Sequence, residues 1–425
     1  MTAARIVLPF VLACVAIAQG KAQTSWSVLD ITASGRYDDA YFINADTGWA
    51  AGGPNGWIRK TVNGGQSWTL QFTSPHYLRS IEFLNADTGF AGSLNGRLYR
   101  TADGGSTWDN IAGSMAPPPL GICGLAAIGG TTIHACGLWA APAYVYSSTD
   151  AGGTWTYTDM SGLATRLVDI HFTHPDTGFA TGTADPAVNG GVILRTTDGG
   201  ASWSVVHQTN TLTDIVWKIQ RLTAELWYAS IYSEPTNDDT RMLRSNDAGI
   251  TWEQVLVSDD YTYVEAIGFI DPLRGWTGGD DRLWETTDGG ETWTEIALGD
   301  SYNRFFKVND STAYLTGQKV YKYQGDLTTQ VPAEAAIPPP HSLRVTPNPS
   351  GGRIQVEVVL DRSTIADLRI VNASGSTVRQ LLRSNDAAPG PHRFIVDLSW
   401  EGIGTYLVVL KTNEGMRWEK AVISQ

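Results

Sequence analysis

Cysteine is scarce in this 425-residue chain, with Cys14, Cys123 and Cys136 as the only three. Too few thiols are present for a metal site, and no metal or other cofactor is expected. Charge is scarce too, at 17% of residues, and the balance is acidic at −13. Lys and Arg are neither numerous nor clustered, which argues against nucleic acid and anionic membrane surfaces as partners. Only one apolar run, Ile6 to Ala18, is long, and no other stretch could span a bilayer. Nucleophile elbow, P-loop, His-Glu-x-x-His and dinucleotide fingerprints are all missing. What the chain does have is 45 glycines and 10% aromatics, the profile of an all-β, turn-rich protein rather than a helical or disordered one.

The apolar run follows Arg5 and is itself followed by Gly20-Lys21-Ala22, the layout of a signal peptide over residues 1–22. Cleavage after Ala22 would expose Gln23, and loss of Arg5 and Lys21 would take the charge from −13 to −15. Val11-Leu-Ala-Cys14 weakly resembles a lipoprotein box, but a cut there would leave the end of the apolar core on the mature chain. Export would permit a disulfide between Cys123 and Cys136. Both fall in one expected hairpin and are not placed opposite each other, so geometry must decide.

The stretch Thr101-Ala-Asp-Gly-Gly-Ser-Thr-Trp108 recurs with close copies ending at Trp68, Trp155, Trp203, Trp252 and Trp293. Its markers Asn63, Asp103, Asp150, Asp198, Asp247 and Asp288 are spaced at 40 to 49 residues, which means a repeat architecture. An Asp before two small residues suits a tight turn, with glycine supplying positive φ, and the following Ser/Thr-Trp suits a strand. The motif resembles the Asp box of the sialidase (BNR) repeat family, where it is a structural turn away from the chemistry. Six copies of a residue set are not what a single active site requires, so these aspartates are expected to be architectural.

Upstream of most boxes lies a second repeated turn: Asn44-Ala-Asp-Thr-Gly-Trp49, Asn85-Ala-Asp-Thr-Gly-Phe90 and His174-Pro-Asp-Thr-Gly-Phe179. Degenerate copies run from Asp271 to Gly278 and Asn309 to Gly317, and weaker ones from Gly129 to Gly137 and Thr223 to Ser230. Asp-Thr-Gly is also the short signature of an aspartic protease, but each copy here precedes a box marker by 16 to 22 residues and reads as hairpin punctuation. Four short strands per unit is the layout of a propeller blade. Seven upstream turns against six boxes, with Ser25-Trp26 aligning on Ser67-Trp68, predict a seven-bladed β-propeller over 23–325. Its last blade is completed by Trp26 to Leu29, which removes an open edge.

Aligning the innermost strands places Asp39, Ser80, Asp169, Arg304 and Lys218 as candidate channel-lining, ligand-binding residues, with solvated strand ends as the blander expectation. Arg36, Arg79 and Arg166 also precede inner strands but fall out of register with one another. A sialidase would need an arginine cluster and a Phe/Tyr-Arg-Ile-Pro segment, and Trp57-Ile-Arg-Lys60 lacks the proline. A glycosidase of the xyloglucanase type would need two carboxylates across a cleft, which abundant Asp and Glu do not exclude. The paired repeats more closely resemble the photosystem II stability and assembly factor family, roughly over residues 24–324. That resemblance implies a non-catalytic, protein-binding propeller, and no individual binding residue carries over; the reading of the whole chain is a binding module for a protein or glycan ligand.

Residues 326–342, containing Ile337-Pro-Pro-Pro340, read as a semi-stiff linker. Beyond it, 343–425 holds six or seven alternating strands, fitting a small Ig-like β-sandwich. Thr346-Pro-Asn-Pro-Ser350, Leu368-Arg-Ile-Val-Asn-Ala-Ser-Gly375 and Gly404-Thr-Tyr-Leu-Val-Val-Leu410 resemble the C-terminal sorting domain of the Bacteroidota type IX secretion system. The resemblance implies passage through the outer membrane with this machinery as partner, followed by release or surface attachment.

Overall fold

The computed structural model describes residues 26–31, 35–137, 143–185, 190–233, 239–325, 341–372, 377–399, 401, 403–413 and 415–424. The expected signal peptide and all but the last two residues of the expected linker lie outside the described residues. The fold is all-β. Seven four-stranded antiparallel sheets account for the strands of residues 26–325; six run in chain order from the innermost strand, and the seventh takes its outermost strand from the start of the domain. Their innermost strands are Tyr37–Phe42, Leu78–Phe83, Gly124–Ile128, Ala164–His174, Ile215–Arg221, Val264–Phe269 and Tyr302–Asn309, numbered here as blades 1 to 7. Each innermost strand packs against the next, and that of blade 7 packs against that of blade 1, so the circuit closes.

Closure uses both ends of the domain. Trp26–Val28 is the outermost strand of blade 7 and pairs with Val320–Gln324, setting Trp26 opposite Tyr323. Trp26 is buried and stands edge-on to Trp276 of blade 6 and to Tyr323, with centroids 5.1 and 5.3 Å apart. The ring is thus locked by an aromatic joint as well as by a hydrogen-bonded ladder.

The two repeated motifs meet at the joints between blades. The aromatic after each Asp-Thr-Gly lies beneath the box glycine of the next blade. A Cβ on Gly105, Gly152 or Gly249 would stand 2.9 Å from Trp49, 2.7 Å from Phe90 or 2.8 Å from Phe179. Those positions are held by glycine for two reasons, close approach and positive φ (94°, 84° and 76°). Each motif is therefore half of a contact that only a repeating ring can complete.

After the ring, His341–Thr346, Arg353–Leu360 and Gly390–Asp397 form a three-stranded sheet, and Thr377–Ala387, Thr364–Val371, Gly404–Thr412 and Gly415–Ile423 a four-stranded one. Alternating residues of both sheets, among them Val356, Val358, Leu368, Ile370, Val408 and Leu410, fill one shared core. The result is a seven-stranded sandwich.

Candidate functional site

The Asp boxes fold as closed hydrogen-bonded turns. Asp103 Oδ1 accepts from the Thr101 hydroxyl (2.8 Å) and the Thr107 N–H (2.9 Å), while Oδ2 accepts from the Thr107 hydroxyl (2.7 Å). Thr101 Oγ1 in turn accepts from the Gly105 N–H, and the Trp108 indole N–H donates back to the Gly105 carbonyl. The same set recurs at Asp150, Asp198, Asp247 and Asp288, each with its tryptophan (Trp155, Trp203, Trp252, Trp293). Asn63 keeps the acceptor oxygen and reverses the last bond, donating from its amide to Ser67 ahead of Trp68. Every box oxygen is engaged within its own turn, which leaves no chemistry to do.

Asp39, Asp169, Lys218 and Arg304 come together inside the ring. Arg304 lies 2.7 Å from Asp169 and 3.5 Å from Asp39, and Lys218 lies 3.7 Å from Asp169. Ser80, also buried, has a hydroxyl with no hydrogen-bond partner among the described residues. This layer corrects the expectation of solvated strand ends: the carboxylates and the lysine are buried and ion-paired. The cause is the unpaired inner edge of each blade, whose N–H groups need acceptors where water is excluded. Asp39 Oδ2 accepts from the Ile81 N–H of blade 2 and Asp169 Oδ2 from the Ile219 N–H of blade 5. Gln220 bridges both backbone groups of Phe269 on blade 6.

The electrostatics follow from that packing. Burial pushes Asp169 upward, but Arg304, Lys218 and the Ile219 N–H outweigh it and its carboxyl lies below the ordinary range. Glu82, in the same neighbourhood, is pushed up to about 8, chiefly by loss of solvent. Within the ion-paired group two carboxylates face two cations, and at Asp39 loss of solvent outweighs Arg304 and Lys218, so its carboxyl lies above the ordinary range.

A second charged cluster is built one residue earlier on the innermost strands. Asp38 lies 2.6 Å from both Arg36 and Arg79, Glu265 pairs with the same two arginines, and Arg36 also donates to Asn303. Arg36 and Arg79 are therefore brought together, contrary to the register read from the sequence. The reason is a β-bulge near the start of the innermost strands of blades 1, 2, 4, 5, 6 and 7. A bulge sets two residues against one and re-aims a side chain. In blades 1, 2, 6 and 7 the extra residue is Asp38, Arg79, Glu265 or Asn303. Arg166 stays on blade 4, opposite Thr183.

Beside this cluster runs a row of aromatic rings absent from the sequence reading. Trp217 stacks on Tyr232 (4.9 Å), Tyr232 meets Tyr263 (5.3 Å), and Tyr263 meets Tyr261 edge-on (5.3 Å). Arg79 lies 5.2 Å over the Trp217 ring and ties the row to the charges. Trp217 is buried, whereas the three tyrosines are half-buried. Their residues come from a bulge, a strand end and an interblade loop, so no single motif announces them.

Cys123 and Cys136 are buried thiols with no disulfide between them. Among the described residues no group of three or more His, Cys, Asp or Glu is arranged to hold a metal ion, and no helix is long and apolar enough to cross a membrane.

A closed ring of Asp-box blades followed by a sandwich defines the class of this protein. The sequence signature of the family described as Photosynthesis system II assembly factor YCF48 matches residues 18–164. Among solved structures, YCF48 bound to a D1 peptide is similar with a TM-score of 0.56 at 17% identity, covering 71% of this chain and 96% of that one. PorZ, a surface component of the type IX secretion system of Porphyromonas gingivalis, is similar with a TM-score of 0.53 at 12% identity, covering 92% and 60%. An ancestral GH74 enzyme is similar with a TM-score of 0.52 at 15% identity, covering 94% and 64%. At these identities the likeness is one of fold. Comparison with curated proteins found no match.

Proposed function

We propose that this chain is an exported, non-catalytic propeller whose ring binds a protein or glycan ligand at its channel mouth. In this reading residues 1–22 direct export and residues 343–425 serve the type IX secretion machinery as a sorting domain. The observation that carries the binding role is the commitment of the channel charges. Asp38, Asp39, Asp169 and Glu265 are all paired with Arg36, Arg79, Lys218 or Arg304. A glycosidase needs one carboxylic acid and one available carboxylate flanking a cleft, and these carboxylates are tied to their own cations. The peptide held by the YCF48 structure supports a binding role for this fold, and the surface location named for PorZ supports delivery outside the cell.

The rival reading, a polysaccharide hydrolase, is favoured by the likeness to the GH74 enzyme. Assaying the purified full chain against a panel of glycosides and polysaccharides separates the two. Binding without product release is expected. Turnover abolished by replacing one channel carboxylate with its amide would overturn the non-catalytic assignment.

A further inference from the structure

Resting on that binding role, we infer that the row Trp217, Tyr232, Tyr263 and Tyr261 with the adjoining charge cluster is a site for an uncharged oligosaccharide. Consecutive ring centroids lie 4.9, 5.3 and 5.3 Å apart, so the row leads from the buried Trp217 to a run of half-buried aromatic surface, Tyr232, Tyr263 and Tyr261, across blades 5 and 6. Aromatic rings of this kind present an apolar body with a polar tip, which suits the C–H faces and hydroxyl rims of sugars.

Charge decides against an ionic ligand. At the mouth Arg36 and Arg79 face Asp38 and Glu265, two cations against two anions within 3.5 Å. An anionic ligand would have to break these pairs, whereas sugar hydroxyls, which both donate and accept, can add to their rims without displacing any charge. Backbone chemistry decides against a peptide that adds as a β-strand. β-Augmentation requires a free sheet edge, and the inner edge here is capped by Asp39, Asp169 and Gln220. The Trp217 indole N–H, buried at 7% exposure, has no partner among the described residues, and a sugar hydroxyl would supply one.

The test is calorimetric titration of the purified full chain with cellohexaose and chitohexaose as neutral probes, hexagalacturonate as an anionic one, and a proline-rich decapeptide. A neutral hexasaccharide is expected to bind. Tyr263→Ala should weaken it about tenfold, and Trp217→Phe, which keeps a ring and deletes the donor, by about threefold or more. Tyr157→Ala, an exposed ring on the outer strand of blade 3, should change nothing. If Tyr263→Ala fails to fold, hydrogen exchange on the unaltered chain reads the same site, with protection by the sugar expected over 259–264. Binding of the anion or the peptide alone, no binding by either neutral sugar, or neutral-sugar binding that spares both Tyr263→Ala and the exchange of 259–264 would overturn the assignment. Sugar turnover would instead overturn the non-catalytic reading, so the two failures are distinguishable.

Discussion

At the residue scale, the box carboxylates hold turns together and their titration should be visible in stability. Asp103 and Asp150 are held down to about 2, first by the N–H of the threonine four residues on and then by hydroxyls of the same turn. Asp198 is held down to about 2 by the hydroxyl and N–H of Ser202. The folded values lie below the unfolded one of about 3.9. Their stabilisation is therefore complete above the unfolded value and is lost as pH falls through about 2. Asn63 fills the same place without titrating, which makes Asp103→Asn the matching substitution. This variant should melt below the unaltered chain at pH 7, and the gap should close between pH 4 and pH 2. Thermal melts across that range check it, and a gap that stays constant would show that the carboxylate charge is irrelevant to the turn.

At the scale of elements, the joint made by Trp26–Val28 is the one strand the chain contributes out of order. Trp26 carries it, packed among Trp276, Phe305 and Tyr323. Trp26→Ala should cost about 3–5 kcal/mol, the range for a large aromatic removed from a core. Val28→Ala, on the exposed face of the same strand, should cost little. Guanidinium unfolding of both variants separates the roles, and equal losses would mean that the ladder rather than the indole closes the ring.

That strand was legible because the Ser-Trp of residues 25–26 copies the box phrase. The blades were legible because glycine and Asp turns recur at fixed offsets. The channel charges were legible in part, since aligned strands found Asp39, Asp169, Lys218 and Arg304. What alignment missed was their burial, which depends on the capping of a neighbouring blade's edge. The mouth was not legible. A bulge adds a residue without leaving a composition signal, so Arg36 and Arg79 read as out of register although they meet at Asp38 and Glu265. The aromatic row is assembled across blades 5 and 6, and only the closed ring brings Trp217, Tyr232, Tyr261 and Tyr263 together.

For the whole molecule, the proposed function assigns recognition to the ring and delivery to the sandwich. The two have separate cores, one distributed between blades and one shared by the two sheets of 341–424. The ring closes on its own strands, through Trp26–Val28 and Val320–Gln324, and so does not need the sandwich to complete a sheet. Removal of 343–425 should leave a folded ring that retains its ligand binding. If the sandwich is the sorting signal, the truncated chain should cross the inner membrane, lose residues 1–22 and stop in the periplasm, whereas the full chain reaches the surface or the medium. Fractionation of expressing cells, with the mature N-terminus sequenced, reads all three steps. A truncated chain that still reaches the surface would remove the sorting role while leaving the ring's binding role intact. Loss of ligand binding on truncation would show instead that the sandwich belongs to the recognition surface.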